Sequence, residues 1–169
     1  MEQAQQIINR ENTIYFFGEN GKYGLYSQFY PCNFVYDCKI FNCCEQFMMY
    51  NKAMLFGDTT IANKILQETT PKVIKTLGRK VRNFDENIWN EHKEEIVFKG
   101  NYLKFTQNEE LKERLISTEN KMLVEASPYD KIWGIGINVK QAIEGKEWKG
   151  LNLLGNILMN VRKKIILEQ

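Results

Sequence analysis

Residues 44–53 read Cys-Glu-Gln-Phe-Met-Met-Tyr-Asn-Lys-Ala, a nearly continuous apolar and aromatic run holding one carboxylate, Glu45, and one amine, Lys52. So much apolar surface in one stretch has to be buried, and the rest of the chain must cover it. As a helix the run places positions 45, 48 or 49, and 52 on one face. Seven residues of helical rise set the two charged positions roughly 10 Å apart, two turns along one side. Charges on a buried helix are costly unless compensated. The pair is therefore either a satisfied structural ion pair or the lining of a cleft.

Before this run, Ile14-Tyr15-Phe16-Phe17, ending at Gly18, reads as a strand. Asn20-Gly21 makes a turn, and Gly24 to Tyr30 follows until Pro31 stops it. Phe34-Val35-Tyr36 and Lys39-Ile40-Phe41 flank Asp37-Cys38 as a hairpin, so the first forty residues form a small β region. From residue 43 the pattern turns helical. A first helix over about 43–56 ends at Gly57, and Asp58-Thr59-Thr60 offers caps for a second. Thr70-Pro71 opens a short helix ending at Gly78, and Asp85 caps a long one carrying Ile88, Trp89, Ile96, Val97, Leu103 and Phe105. Asn108 starts another, residues 122–126 are extended, and a last helix covers about 152–167. The expected architecture is one mainly α domain over residues 1–169, multihelical, with a small antiparallel β element near the N-terminus.

The net charge of +2 argues against wrapping long nucleic acid through a basic face. Met1 to Gln6 is polar, with no signal peptide, and no stretch is apolar enough to span a bilayer; a cytoplasmic protein without membrane contact is expected. Cys32, Cys38, Cys43 and Cys44 lack C-x-x-C spacing, so they read as reduced thiols, with a structural zinc site as the minority alternative. The single His92 sits on a charged helix face and reads as exposed, which makes it a poor triad member.

What remains for chemistry is Glu45, Lys52, Glu125, Tyr129, Asp130 and Trp133. Carboxylates beside aromatics suit cleavage at a sugar C1, where the transition state resembles an oxocarbenium ion. A second acid protonates the leaving group or activates water. A lysine in an apolar wall can instead attack C1 and form a Schiff base. Each residue also has a plain role: Asp130 as a turn or helix cap, Trp133 as core. Gly134 and Gly136 point to backbone packed closely on a ring or ligand, and they do not form a G-x-G-x-x-G loop.

Five blocks carry a resemblance. They are Tyr23-Gly24 with Ser27-Gln28-Phe29-Tyr30-Pro31; residues 45–53; Leu77-Gly78-Arg79-Lys80-Val81; Glu125-Ala126-Ser127-Pro128-Tyr129-Asp130 with Trp133-Gly134-Ile135-Gly136; and Gly150-Leu151-Asn152-Leu153-Leu154-Gly155 with Leu158-Met159 and Val161-Arg162. In this order and spacing the chain resembles the NADAR family, also called YbiA-like. The resemblance implies a mainly helical fold and an N-glycosidase without a cofactor. Its substrate is then a nucleotide-type ADP-ribosyl or phosphoribosyl compound. Two classes are implied: ADP-ribose on modified guanine bases, ADP-ribosylated DNA or RNA included, and phosphorylated riboflavin-pathway intermediates. By position, the implied catalytic residues are Lys52, Glu45, Asp130 and Trp133. Lys52 is implied as Schiff-base nucleophile or electrostatic holder, and Asp130 or Glu45 as acid/base. The implied substrate contacts are Ser27, Gln28, Phe29, Tyr30, Arg79, Ser127, Gly134 and Asn152, with Arg79 suited to phosphate. Many members read Ser-Asn-Phe where this chain has Ser27-Gln28-Phe29, and His where it has Gln46. The alternative from another class is a non-catalytic ADP-ribose or nucleotide-binding module.

Overall fold

The structure, a computed structural model, describes residues 10–169. The polar start read at residues 1–6 lies outside them. Strand β1 (Thr13–Phe16) alternates half-buried and buried side chains, as its apolar spacing predicts. Its partner is not local. It runs parallel to β4 (Met122–Glu125), with Thr13 opposite Met122 and Phe16 opposite Glu125. Parallel strands need a long crossover, and five helices supply it. The first strand of the N-terminal β region is thus completed by the far half of the chain. Residues Gly24–Tyr26 form a 3-10 turn that buries Leu25 and Tyr26.

The hairpin expectation holds. β2 (Phe34–Tyr36) and β3 (Lys39–Phe41) pair antiparallel, and Asp37 and Cys38 both take positive φ at its tip, as a tight hairpin turn requires. The helices follow their caps. α1 (Cys44–Leu55) stops before Gly57, whose φ is +71°. Asp58 accepts from the Ile61 N–H to start α2 (Thr59–Gln67). α3 (Pro71–Gly78) carries proline in its first turn. Asp85 accepts from the Ile88 N–H to start α4 (Glu86–Gln107), and α5 (Glu109–Ile116) follows directly. The short α6 (Val139–Ile143) was not expected. A capping box between Asn138 and Gln141 starts it. α7 (Leu153–Leu167) ends the chain.

Helix α1 is the centre. α2, α3 and α4 pack on it, α4 packs on α7, and α7 covers β4. Close approach needs small residues at two crossings. A Cβ on Gly78 would meet the Met49 sulfur at 1.9 Å, and one on Gly100 would meet the Phe47 ring at 2.8 Å. His92 is half-buried rather than exposed, with Nδ1 2.9 Å from the Ile88 carbonyl oxygen one turn back. No helix among the described residues is long and apolar enough to cross a membrane. The four cysteines are free, and among the described residues no three His, Cys, Asp or Glu side chains gather as metal ligands, which leaves the zinc reading without a site.

Candidate active site

Glu45 lies in the first turn of α1 and is only 6% exposed. The helix dipole favours its charge, but burial outweighs it and pushes the carboxyl up to about 7. The charges it feels are Lys75, Lys52 and Arg79, which pull the other way, and Asp130, which adds to the rise. Lys52 is half-buried two turns on. The ion-pair reading of these two residues fails: among the described residues no salt bridge within 4 Å joins them. Instead, the Lys52 ammonium lies 4.7 Å from the Phe84 ring centre and 5.7 Å from that of Trp89. Burial lowers the proton affinity of Lys52, Glu45 raises it and Arg79 lowers it further.

Glu125 ends β4, and its Oε2 is buried with no hydrogen-bond partner among the described residues. Burial pushes this carboxyl up to about 8, with Asp130 and Glu45 adding repulsion and Lys75 opposing. The loop after it is tightly organised. Asp130 Oδ1 accepts from the N–H groups of Ile132 and Trp133, both at 2.8 Å, which is the turn-capping role expected of it. The same carboxylate is felt by Glu45 and Glu125. A Cβ on Gly134 would meet the carbonyl oxygens of Asp130 and Glu125 at 3.0 Å, so glycine allows the loop to fold back on the strand. Trp133 is half-buried against the main core.

Several expected contact residues spend their polar groups internally. Ser27 Oγ accepts from the Phe29 N–H, and Ser127 Oγ from the Tyr129 N–H. Asn152, 1% exposed and with φ of 53°, clamps β4: its Nδ2 donates to the Leu123 carbonyl and its Oδ1 accepts from the Glu125 N–H. The segment 28–30 stays near the carboxyls, because the Gln28 carbonyl accepts from the Glu45 N–H at 2.9 Å. Phe29 lies 5.9 Å from the Lys75 ammonium, and Arg79 lies exposed one turn after Lys75, just past the end of α3.

Sequence reasoning missed five supporting residues. Lys75 is the largest opposing charge on Glu45, and its signal was the i, i+4 spacing to Arg79. Phe84 and Trp89 wall Lys52. Lys104, fully buried, donates to the Leu25 and Ser27 carbonyls and lies 5.3 Å from the Tyr30 ring centre. Asn101, also fully buried, donates to Gln28. Both sit on the stripe 97, 101, 104, 105, where an apolar face carries two unexplained polar residues. A shallow depression of about 210 Å³ lined by Tyr36, Phe47, Asn51, His92, Glu95, Ile96 and Lys99 shares no residue with the carboxyl cluster.

The arrangement holds two carboxyls that change protonation near neutrality, a partly desolvated amine and an exposed cationic rim. Comparison with known proteins places the chain in a family. The NADAR domain profile matches residues 15–166. An N-glycosidase of Acanthamoeba polyphaga mimivirus is 45% identical over 167 residues, covering 93% of this chain and 98% of that protein. A riboflavin biosynthesis protein of Vibrio vulnificus is 28% identical over 92% of this chain and 39% of its own length. The solved NMR structure of Escherichia coli YbiA superposes with a TM-score of 0.78 at 28% identity, covering 98% of this chain and 92% of that one. The chain belongs to the NADAR family, a family of N-glycosidases.

Proposed function

We propose that this protein hydrolyses the N-glycosidic bond of a ribosyl or ADP-ribosyl compound, with ADP-ribose on a modified guanine as the preferred substrate. The observation that carries the reading is the pair Glu45 and Glu125, each raised by burial and by the charge of Asp130 to about 7 and 8, with Glu45 acting in turn on Glu125 and on the depressed amine of Lys52. In its protonated form Glu45 gives its proton to the leaving nitrogen as the C1–N bond breaks and the base takes the bonding pair. Lys52 attacks C1 as the free amine, and the opened sugar becomes a Schiff base. As the ring opens, Glu125 gives its proton to the ring oxygen and takes one from the attacking amine, and the deprotonated Glu45 then accepts a proton from the water that hydrolyses the Schiff base and frees the amine. Asp130 stabilises the positive charge that develops on the sugar. Lys75 and Arg79 supply two cations one helical turn apart, a spacing that suits a diphosphate. This favours the ADP-ribosyl substrate over a monophosphate. The Vibrio relative's name keeps riboflavin-pathway intermediates as the second substrate class.

The deciding experiment offers both classes side by side. ADP-ribosylated guanosine is expected to release free ADP-ribose, and Lys52→Ala and Asp130→Ala to lose that release. Borohydride added during turnover is expected to trap a protein–sugar adduct. Turnover with no adduct makes Lys52 a charge holder. Binding of ADP-ribose without cleavage of either class makes the protein a binding module.

A further inference from the structure

Asn101 stands where α4 crosses behind residues 25–30, and it is fully buried. A buried amide must find partners for both its ends. Its Nδ2 lies 2.9 Å from the Val97 carbonyl oxygen, an atom that only accepts. That contact fixes which end of the Asn101 amide is the amino group. The second proton of the same Nδ2 points at Gln28, 2.9 Å away. Gln28 must answer with its oxygen. Asn101 Oδ1 meets the Cys44 thiol at 3.6 Å, which is consistent with the same orientation.

One consequence follows for Gln28. With Oε1 committed to Asn101, its amino end is left over, and Nε2 is buried with no partner among the described residues. An orphaned buried N–H₂ is unfavourable, and a glutamine serving only the scaffold has no need to keep one. The main chain around it is braced. The Gln28 carbonyl accepts from the Glu45 N–H, and Lys104 holds the carbonyls of Leu25 and Ser27. The residue's main chain is therefore held against that of Glu45, its side-chain oxygen is held by Asn101, and its donor end is unspent.

We propose that Asn101 is a positioning residue that turns the amino end of Gln28 toward the substrate, where it donates to an oxygen acceptor on the sugar or the base. This rests on the N-glycosidase reading of the site. The network sets polarity as well as position: the site offers a neutral donor there and rejects a substrate that presents a donor in return.

Gln28→Glu tests it directly. Glutamate keeps an oxygen facing Asn101 and puts a second oxygen where the amino group stood. Asn101→Asp removes the Nδ2 donor that orients Gln28. Both are measured for affinity to ADP-ribose by calorimetry and for kcat and KM on ADP-ribosylated guanosine, with the thermal midpoint as a folding control. Gln28→Glu is expected to lose roughly 10- to 100-fold in affinity or in kcat/KM at a nearly unchanged midpoint. Asn101→Asp is expected to show a similar loss, and the double variant to lose little beyond Gln28→Glu alone, because both act through one bond. Should Gln28→Glu fold poorly, Gln28→Met removes the donor without adding charge and is read the same way. Lost ADP-ribose affinity puts the acceptor on the ADP-ribosyl part, whereas a loss confined to turnover of the guanosine substrate puts it on the base. Wild-type-like affinity and kcat/KM in Gln28→Glu overturn the proposal, as do losses that simply multiply in the double variant. A wild type that binds ADP-ribose but cleaves nothing defeats the enzymatic reading, while the affinity comparison still decides this one.

Discussion

Glu125→Gln is expected to stabilise the protein, and to do so only above the ordinary carboxyl range. Burial and the neighbouring Asp130 and Glu45 raise this carboxyl from 4.5 to about 8 in the folded chain. A rise of that size disfavours the ionised form by on the order of 5 kcal/mol. Part of it is repulsion from the half-exposed Asp130, which solvent screens, so roughly 2–3 kcal/mol is the expected net effect. The unfolded chain ionises near 4.5 while the folded one stays protonated until about 8. Stability is therefore lost progressively as pH climbs between those values and is constant above them. Glutamine, neutral in both states, has no such loss. Urea denaturation at pH 4.5, 6.5 and 8.5 checks it. The two proteins should match at the lowest pH and differ by about 2–3 kcal/mol at the highest, with the variant ahead. A gap that does not change with pH, or a variant less stable at pH 8.5, refutes the reasoning. The variant should also lose turnover, because the proposed reaction passes a proton through this carboxyl as well as through Glu45.

Two further outcomes rest on buried polar groups. Lys104→Met takes the ammonium donor from the Leu25 carbonyl and leaves the Ser27 carbonyl with only the Tyr30 N–H, and is expected to cost ~1–3 kcal/mol in urea unfolding, with a raised KM as residues 27–30 loosen. Asp58 is held down to about 2, first by its hydrogen bonds to the Arg82 side chain and N–H, against an ordinary 3.8. Its contribution is present above the ordinary value and is lost as pH falls toward 2, so Asp58→Asn should flatten the acid limb of a thermal-midpoint profile.

Much of the secondary structure is local chemistry and was legible in the residues alone. Asp58 and Asp85 cap the helices they precede, Pro71 opens α3, and Asp37-Cys38 turns the hairpin. Each depends on neighbours within a few positions. The same is true of α6, whose capping residues Asn138 and Gln141 lie three positions apart. The apolar run 44–53 likewise determined that α1 would be buried and that Glu45 and Lys52 would share one side of it.

The tertiary structure decided what those charges became. β1 found its partner in β4, across five helices, because strand pairing is set by the covering of exposed backbone edges and not by distance along the chain. That pairing buries the Glu125 Oε2 where the charges of Asp130 and Glu45 act on it, and only then do burial and like charge raise its proton affinity. Lys52 met aromatic faces from residues 84 and 89, and of the two readings open for it, ion pair or cleft lining, no ion pair with Glu45 formed among the described residues. The orientation of Gln28 was decided by Asn101, a residue far along the chain whose amide had one carbonyl it could not turn away from. Spacing can place a side chain on a face of a helix. The dielectric around it, and the atom it meets there, exist only once the chain has closed.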